Sequence, residues 1–207
     1  YEIGAKDSFV GNRIRTRAAL YRINWKNIQQ SVYLPCTFSV TANSGAATSK
    51  GAEFEMDMAL MSHLTLNLAV GYEDMKITEA TASSRTIVGQ PLTGVPKWSG
   101  SVTAQYLIPL GEREAFLRGQ WEFTSDRKSF INVAPQDGGR DLPAYNILNL
   151  RGGVKQGPWE ATLYLNNVFD KRGIVGDLMP EGAELPDRPR WFVTRPRTVG
   201  LSLRREF

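Results

Sequence analysis

The sequence predicts an all-β chain, an antiparallel up-and-down transmembrane β-barrel segment of about nine strands. Three observations carry this reading. Apolar residues recur at every second position along most of the chain. Tight turns alternate with long loops. The alternating runs extend over about 10–17 residues, beyond the usual five or six of globular sheets.

The elements follow in order. Residues 1–8 form a short strand. The strand from Arg13 to about Gln30 changes phase, with Ile14, Thr16, Ala18 and Leu20 on one face and Tyr21, Ile23 and Trp25 on the other. A bulge near Ala18–Tyr21, or an upper half that leaves the lipid, accounts for this equally well. In the next run Ala52, Phe54, Met56, Met58 and Leu60 oppose Glu53, Glu55 and Asp57. The cleanest run sets Leu64, Leu66, Leu68, Val70 and Tyr72 against Thr65, Asn67, Ala69, Gly71 and Glu73. Successive strand side chains point to opposite faces, so each run has an oily and a wet side.

Trp98, Val102, Ala104, Tyr106 and Ile108 then oppose Ser99, Ser101, Thr103 and Gln105. Ala115, Leu117, Trp121 and Phe123 oppose Arg118, Gln120 and Glu122. Residues 144–156 carry Gly152 and Gly153 inside the run. Trp159, Ala161, Leu163 and Leu165 oppose Glu160, Thr162, Tyr164 and Asn166. Finally Val199, Leu201, Leu203 and Phe207 oppose Thr198, Ser202, Arg204 and Glu206. Short turns fall at Val10–Asn12, Met61–His63, Gly111–Arg113 and Gln156–Pro158, and long loops cover roughly 31–44, 81–94, 131–143 and 171–197. In an outer-membrane barrel the tight turns lie at the periplasmic end. A soluble β-sandwich also alternates, but its strands are shorter and its loops do not sort by end.

Composition narrows the classes. Of 207 residues 42 % are hydrophobic, and no stretch approaches the length of a membrane-spanning helix. The net charge is +4 and spread along the chain, with no basic block to suggest a nucleic-acid partner. A single cysteine, Cys36, excludes an internal disulfide, and with a single histidine makes a protein-built zinc site improbable. No cofactor is implied. The chain opens on Tyr1-Glu2-Ile3-Gly4, already strand-like, without a basic stretch and an apolar one of the kind that directs export. A cytosolic protein or a missing front fits that start, and the strand pattern favours the second.

The wet face is heavily charged, and Glu53, Glu55, Asp57, Arg118, Glu122, Arg151 and Arg204 are read as facing a lumen. If strand 13–30 rises and strand 45–60 descends, Arg15 and Arg17 come opposite Asp57 and Glu55, a register that opposed charges favour. Ordinary solvated charge is the competing account. Tyr72, Trp98 and Phe123 fall at a shared height near the outer interface, where aromatic belts form, and Trp159 and Phe207 fall at the opposite end. The aliphatic set Met56, Met58, Leu66, Leu68, Val102, Leu163 and Leu201 is expected on one convex, lipid-exposed side.

Particular strings carry a family resemblance over the whole chain. The end, Pro196-Arg197-Thr198-Val199-Gly200-Leu201-Ser202-Leu203-Arg204-Arg205-Glu206-Phe207, resembles the closing strand of TonB-dependent receptors. Asn166-Asn167-Val168-Phe169-Asp170-Lys171-Arg172-Gly173 resembles their penultimate strand running into its loop. Tyr1-Glu2-Ile3-Gly4-Ala5-Lys6, Lys50-Gly51-Ala52-Glu53-Phe54-Glu55 and Val95-Pro96-Lys97-Trp98-Ser99-Gly100 resemble earlier strand motifs, in the family's order. Gly51 is expected where the wall bends or another backbone comes close.

The resemblance implies a barrel of about 22 strands around a plug, of which residues 1–207 form the C-terminal portion, roughly strands fourteen to twenty-two. The plug, the earlier strands and the TonB-binding segment have no counterpart in this sequence. It further implies outer-membrane uptake of a ferric siderophore or similar bulky nutrient, energised through TonB. The expected partners are outer-membrane lipid, the plug and the remaining strands. Val199, Leu201, Leu203 and Phe207 resemble the signal read by the assembly machinery, with Arg205 where relatives often carry an aromatic. Such a segment alone is expected to be an open sheet, without bonds between residues 1–8 and 198–207.

A passive porin-like channel is the alternative function. Catalysis would need a nucleophile–base pair or metal cluster, and His63 sits in a predicted turn. Arg172, Arg188 and Arg190, with Trp191 beside them, are the ligand candidates of the last loop. Asp177, Glu181, Glu184 and Asp187 balance that loop's charge, so a solvated loop is the plainer reading.

Overall fold

The structure is a computed structural model that describes the chain apart from residues 37, 83–85, 130–140, 179–189 and 207. It contains no helix among the described residues. In chain order the strands are β1 (Glu2–Phe9), β2 (Ile14–Lys26), β3 (Gln29–Tyr33), β4 (Ser39–Asn43) and β5 (Ala46–Met61). They continue with β6 (Leu64–Glu79), β7 (Trp98–Leu110), β8 (Arg113–Thr124), β9 (Arg127–Lys128) and β10 (Asp141–Leu142). The chain finishes with β11 (Tyr145–Gln156), β12 (Trp159–Asn166), β13 (Ile174–Leu178), β14 (Arg190–Val193) and β15 (Thr198–Arg205).

The main sheet is 9-stranded, in the order β1-β2-β5-β6-β7-β8-β11-β12-β15, and every pairing is antiparallel. This is the expected up-and-down meander. β1 pairs only with β2 and β15 only with β12, so the sheet is open.

The described parts of the long connections carry strands of their own. β3–β4, β9–β10 and β13–β14 each form a 2-stranded ribbon beyond the main sheet. The stretch after β6 runs back along it, with Leu92 N–H donating to Met75 O at 2.9 Å. The tight turns at the other end need left-handed backbone, met by Val10 (φ 52), Gly11 (φ 62) and Asn12 (φ 66), by Gly111 (φ 67) and by Gly157 (φ 54). Glycine adopts such angles without steric cost.

The open question in β2 resolves against a bulge. Its register with β5 is continuous from Ile14↔Met58 to Lys26↔Ala46. The polarity of the strand instead inverts: above Leu20 the formerly apolar face carries Arg22 and Asn24. The same height is polar on the neighbours, because Arg22 pairs with Lys50 and Lys50 with Asp74. Directly below lies the row Leu20–Ala52–Tyr72–Trp98. The apolar face therefore ends at one level across adjacent strands. Leu64 through Tyr72 is about the 9–11 residues that a tilted strand needs to cross hydrocarbon.

Among the described residues, no closed core lies against the middle of the main sheet. Met56, Met58, Leu66, Leu68 and Val102 are half-buried, while Leu163 and Leu201 are 58 % and 65 % exposed. The buried apolar residues Ile28, Ala47 and Ile77 gather at the long-loop end, with Met75, Ala80 and Leu92 against them. There the strands are flanked by their own connections and can form a small dry cluster. Among the described residues, nothing forms a second layer over the middle of the sheet.

Candidate functional site

The wet face is one continuous surface built by register. Arg15 stands opposite Asp57 and Arg17 opposite Glu55, the pairing that the charge pattern favoured. Arg17 Nε donates to Glu55 Oε2 at 2.6 Å, and its Nη2 reaches Asp57 Oδ2 at 3.1 Å. Asn67 Nδ2 donates to the other Asp57 oxygen at 2.7 Å. Charge-assisted bonds of this kind are shorter and stronger than neutral ones. Further along, Gln120 Nε2 donates to Glu122 Oε1 at 2.8 Å, and the buried Ser49 hydroxyl to Glu73 Oε1 at 2.8 Å.

Arg118, Arg151 and Arg204 lie on this same face. With Glu114, Glu160, Tyr164 and Arg195 they line a cavity of ≈ 680 Å³ that spans β7, β8, β11, β12 and β15. Glu53 borders a second hollow of ≈ 380 Å³ with Arg17 and Glu55. All seven residues expected on the wet face therefore share one side of the sheet.

Aromatic rings on both faces cover glycines on the neighbouring strand. A Cβ added at Gly51 would overlap the Tyr21 ring, and one at Gly200 the Tyr164 ring. Gly51 thus makes room for a side chain, and not for the bend or neighbouring backbone expected there. Tyr72 and Trp98 are direct partners with ring centroids 4.8 Å apart. Phe123 is not beside Trp98; it lies over Gly100 and stacks on Trp121 at 5.2 Å. Trp98 is instead flanked by Ser125, whose N–H donates to its carbonyl at 2.8 Å.

The last long loop is closed at its base by Asn167, a buried residue with φ 51. Its Nδ2 donates to Lys171 O at 3.0 Å and Arg195 O at 2.7 Å, while its Oδ1 accepts from Lys171 N–H at 2.9 Å. Asp170 Oδ1 accepts from Arg197 N–H at 2.8 Å, and that backbone bond holds its carboxyl below the ordinary value of 3.8. The Thr194 hydroxyl links Lys171 O and Gly173 N–H. The string 166–173 is therefore a clamp joining both ends of the loop. Asparagine's tolerance of left-handed backbone was the legible signal; its bonds to residue 195 were not.

The loop candidates are not gathered into one site. Arg172 sits at the base, 3.6 Å from Asp170. Arg190 pairs through its backbone with Leu178, and the half-exposed Trp191 with Asp177. Arg188 lies outside the described residues. Arg195, not Arg172 or Trp191, reaches the wet-face cavity. A residue the sequence reading missed is Arg127, which is buried. Its Nη2 donates to Ile174 O and Val175 O at 3.1 and 3.0 Å, tying β9 to the β13–β14 ribbon. Nothing in its sequence context announces this.

Val199, Leu201 and Leu203 are exposed on the apolar face of β15, and Phe207 lies outside the described residues. Arg205 stacks over Trp159 at 5.3 Å from the ring centroid. Cys36 is a free, exposed thiol. His63 is exposed in the turn after β5, and no cluster of metal-ligating side chains occurs among the described residues.

Residues 1–168 match the TonB dependent receptor-like β-barrel family. Among solved structures, the chain resembles the ferric yersiniabactin uptake receptor of Yersinia pestis, at 19 % identity and TM-score 0.80, over 100 % of this chain and 29 % of that one. It resembles the siderophore receptor PiuA of Acinetobacter baumannii at 17 % identity and TM-score 0.73, over 98 % of this chain and 27 % of that one. For the ferric preacinetobactin receptor of the same organism the values are 16 % and 0.70, over 100 % and 29 %. The chain thus spans under a third of the length of these receptors.

Proposed function

The chain belongs to the TonB-dependent receptor-like β-barrel family, and from that premise we propose that it forms part of the wall of an outer-membrane receptor. The receptor takes up a ferric siderophore or a similar bulky nutrient, with energy delivered through TonB. The observation that carries this reading is the two-faced open sheet, superimposable over its full length on siderophore receptors. Its aliphatic face suits lipid and its charged face suits a filled, aqueous interior.

On this reading the segment is the C-terminal part of a barrel of about 22 strands. The remaining strands pair with the edges of β1 and β15, and a plug occupies the interior. Arg172, Arg190 and Trp191 stand on the ligand side, and Val199, Leu201 and Leu203 face the assembly machinery during insertion. The tight turns lie in the periplasm. The protein acts as a receptor and not as an enzyme.

The test uses the complete gene in an iron-starved Gram-negative strain lacking its own siderophore receptors. Growth on at least one ferric siderophore, abolished by deleting tonB, is the expected result. Entry that persists without TonB would instead identify a passive channel.

A further inference from the structure

One row of the wet face sets two cations directly opposite each other with no ion-pair partner among the described residues. Near the turns, the paired residues Glu114, Lys155, Glu160 and Arg204 alternate in sign from strand to strand. Arg17 is met by Glu55 and Asp57. Between these, the row Gln105–Arg118–Arg151–Tyr164–Gly200 places two arginines directly opposite each other. Like charges in that relation destabilise a sheet.

No acid lies in the rows directly beside them. The rows on either side contribute Phe116, Gly153 and Thr162 below, and Gln120 and Asn149 above, all uncharged. Glu114 and Glu122 stand four residues along β8 from Arg118, about 13 Å at the rise of a strand. Neither Arg118 nor Arg151 forms an ion pair among the described residues. Both open into the ≈ 680 Å³ cavity, where Tyr164, seated over Gly200, forms a firm wall beside them.

We propose that Arg118 and Arg151 together receive a carboxylate side chain from the polypeptide that fills the barrel. Two guanidinium groups on adjacent strands offer planar donor sets that suit the two oxygens of one carboxylate. A resident carboxylate neutralises the pair for as long as the interior is filled, which a ligand in transit would not do. This inference rests on the reading of the wet face as the wall of a filled barrel.

The test is carried out on the complete receptor in outer membranes, as the R118K/R151K variant, which keeps both charges. A zero-length carbodiimide joins an ammonium to a carboxylate only in direct contact. The expected product is an amide between position 118 or 151 and an aspartate or glutamate of the interior domain, found by peptide mass spectrometry. Cross-links only to Glu114, Glu122 or Glu160, or none at these positions while other lysines react, would overturn the proposal. TonB-dependent growth of the wild-type strain is measured alongside. Uptake without the cross-link refutes the carboxylate site alone, and the cross-link without uptake refutes the transport reading alone.

Discussion

Tyr21 covers Gly51: the two are direct partners across β2 and β5, and the ring occupies the space that a Cβ on residue 51 would need. The same relation joins Tyr164 to Gly200 at the far side of the sheet. Rings laid over glycines pin the register of long strands that have no second layer behind them. G51V in the complete receptor is expected to cost about 1–3 kcal/mol through forced side-chain displacement. Adding Y21A should recover part of that loss. Heat-dependent unfolding on gels reads the effect, and additive losses in the double variant would refute the coupling.

The Asn167 clamp gives a second expectation. N167A removes side-chain bonds to Lys171 and Arg195, each a net contribution of about 0.5–1.5 kcal/mol. It also places alanine in left-handed backbone. Limited proteolysis of intact cells should then cut within residues 171–197 faster than in the wild type, with the other long loops unchanged. N167G keeps the backbone angle, so an equally fast cut there would assign the effect to the lost side-chain bonds.

Asp170 sets the pH response of the same loop base. Its folded-state carboxyl is depressed, chiefly by the Arg197 N–H and then by the nearby arginines. A depressed carboxyl stabilises above its unfolded value and loses that contribution as pH falls through the folded value. The Arg197 amide should therefore stay protected from hydrogen exchange through the ordinary carboxylate range and open only below it. D170N keeps an acceptor but not the charge, and should remove the pH dependence. Loss of protection already at pH 5 would contradict this.

The two faces differ in what they tolerate. L163R introduces a cation on the lipid side, at a cost of up to about 2–4 kcal/mol if the residue sits near the bilayer midplane. T162R, one residue away on the wet face, should be close to neutral. Folding of the complete receptor into vesicles separates them, and equal losses would indicate that both faces meet the same medium.

Much of this was legible in the residues. Period-two alternation fixes which side chains share a face, because the pleat has only two sides. The pairing of Arg15 and Arg17 with Asp57 and Glu55 could be read from charge, because a register that sets opposed signs against each other is favoured. Strand order followed from connection length.

What only the tertiary structure decided depends on contacts between residues distant in sequence. The phase change in β2 was ambiguous until Arg22, Lys50 and Asp74 were seen at one height. Nothing local to Asn167 names residue 195 as its partner, and nothing local to Arg127 names Ile174. Arg118 and Arg151 look like ordinary solvated charges one strand at a time. Their opposition arises from the register of β8 with β11, which no single strand contains. The sequence by itself determined the faces, since alternation is a property of each strand alone; the tertiary structure decided which charges meet, since that is a property of pairs.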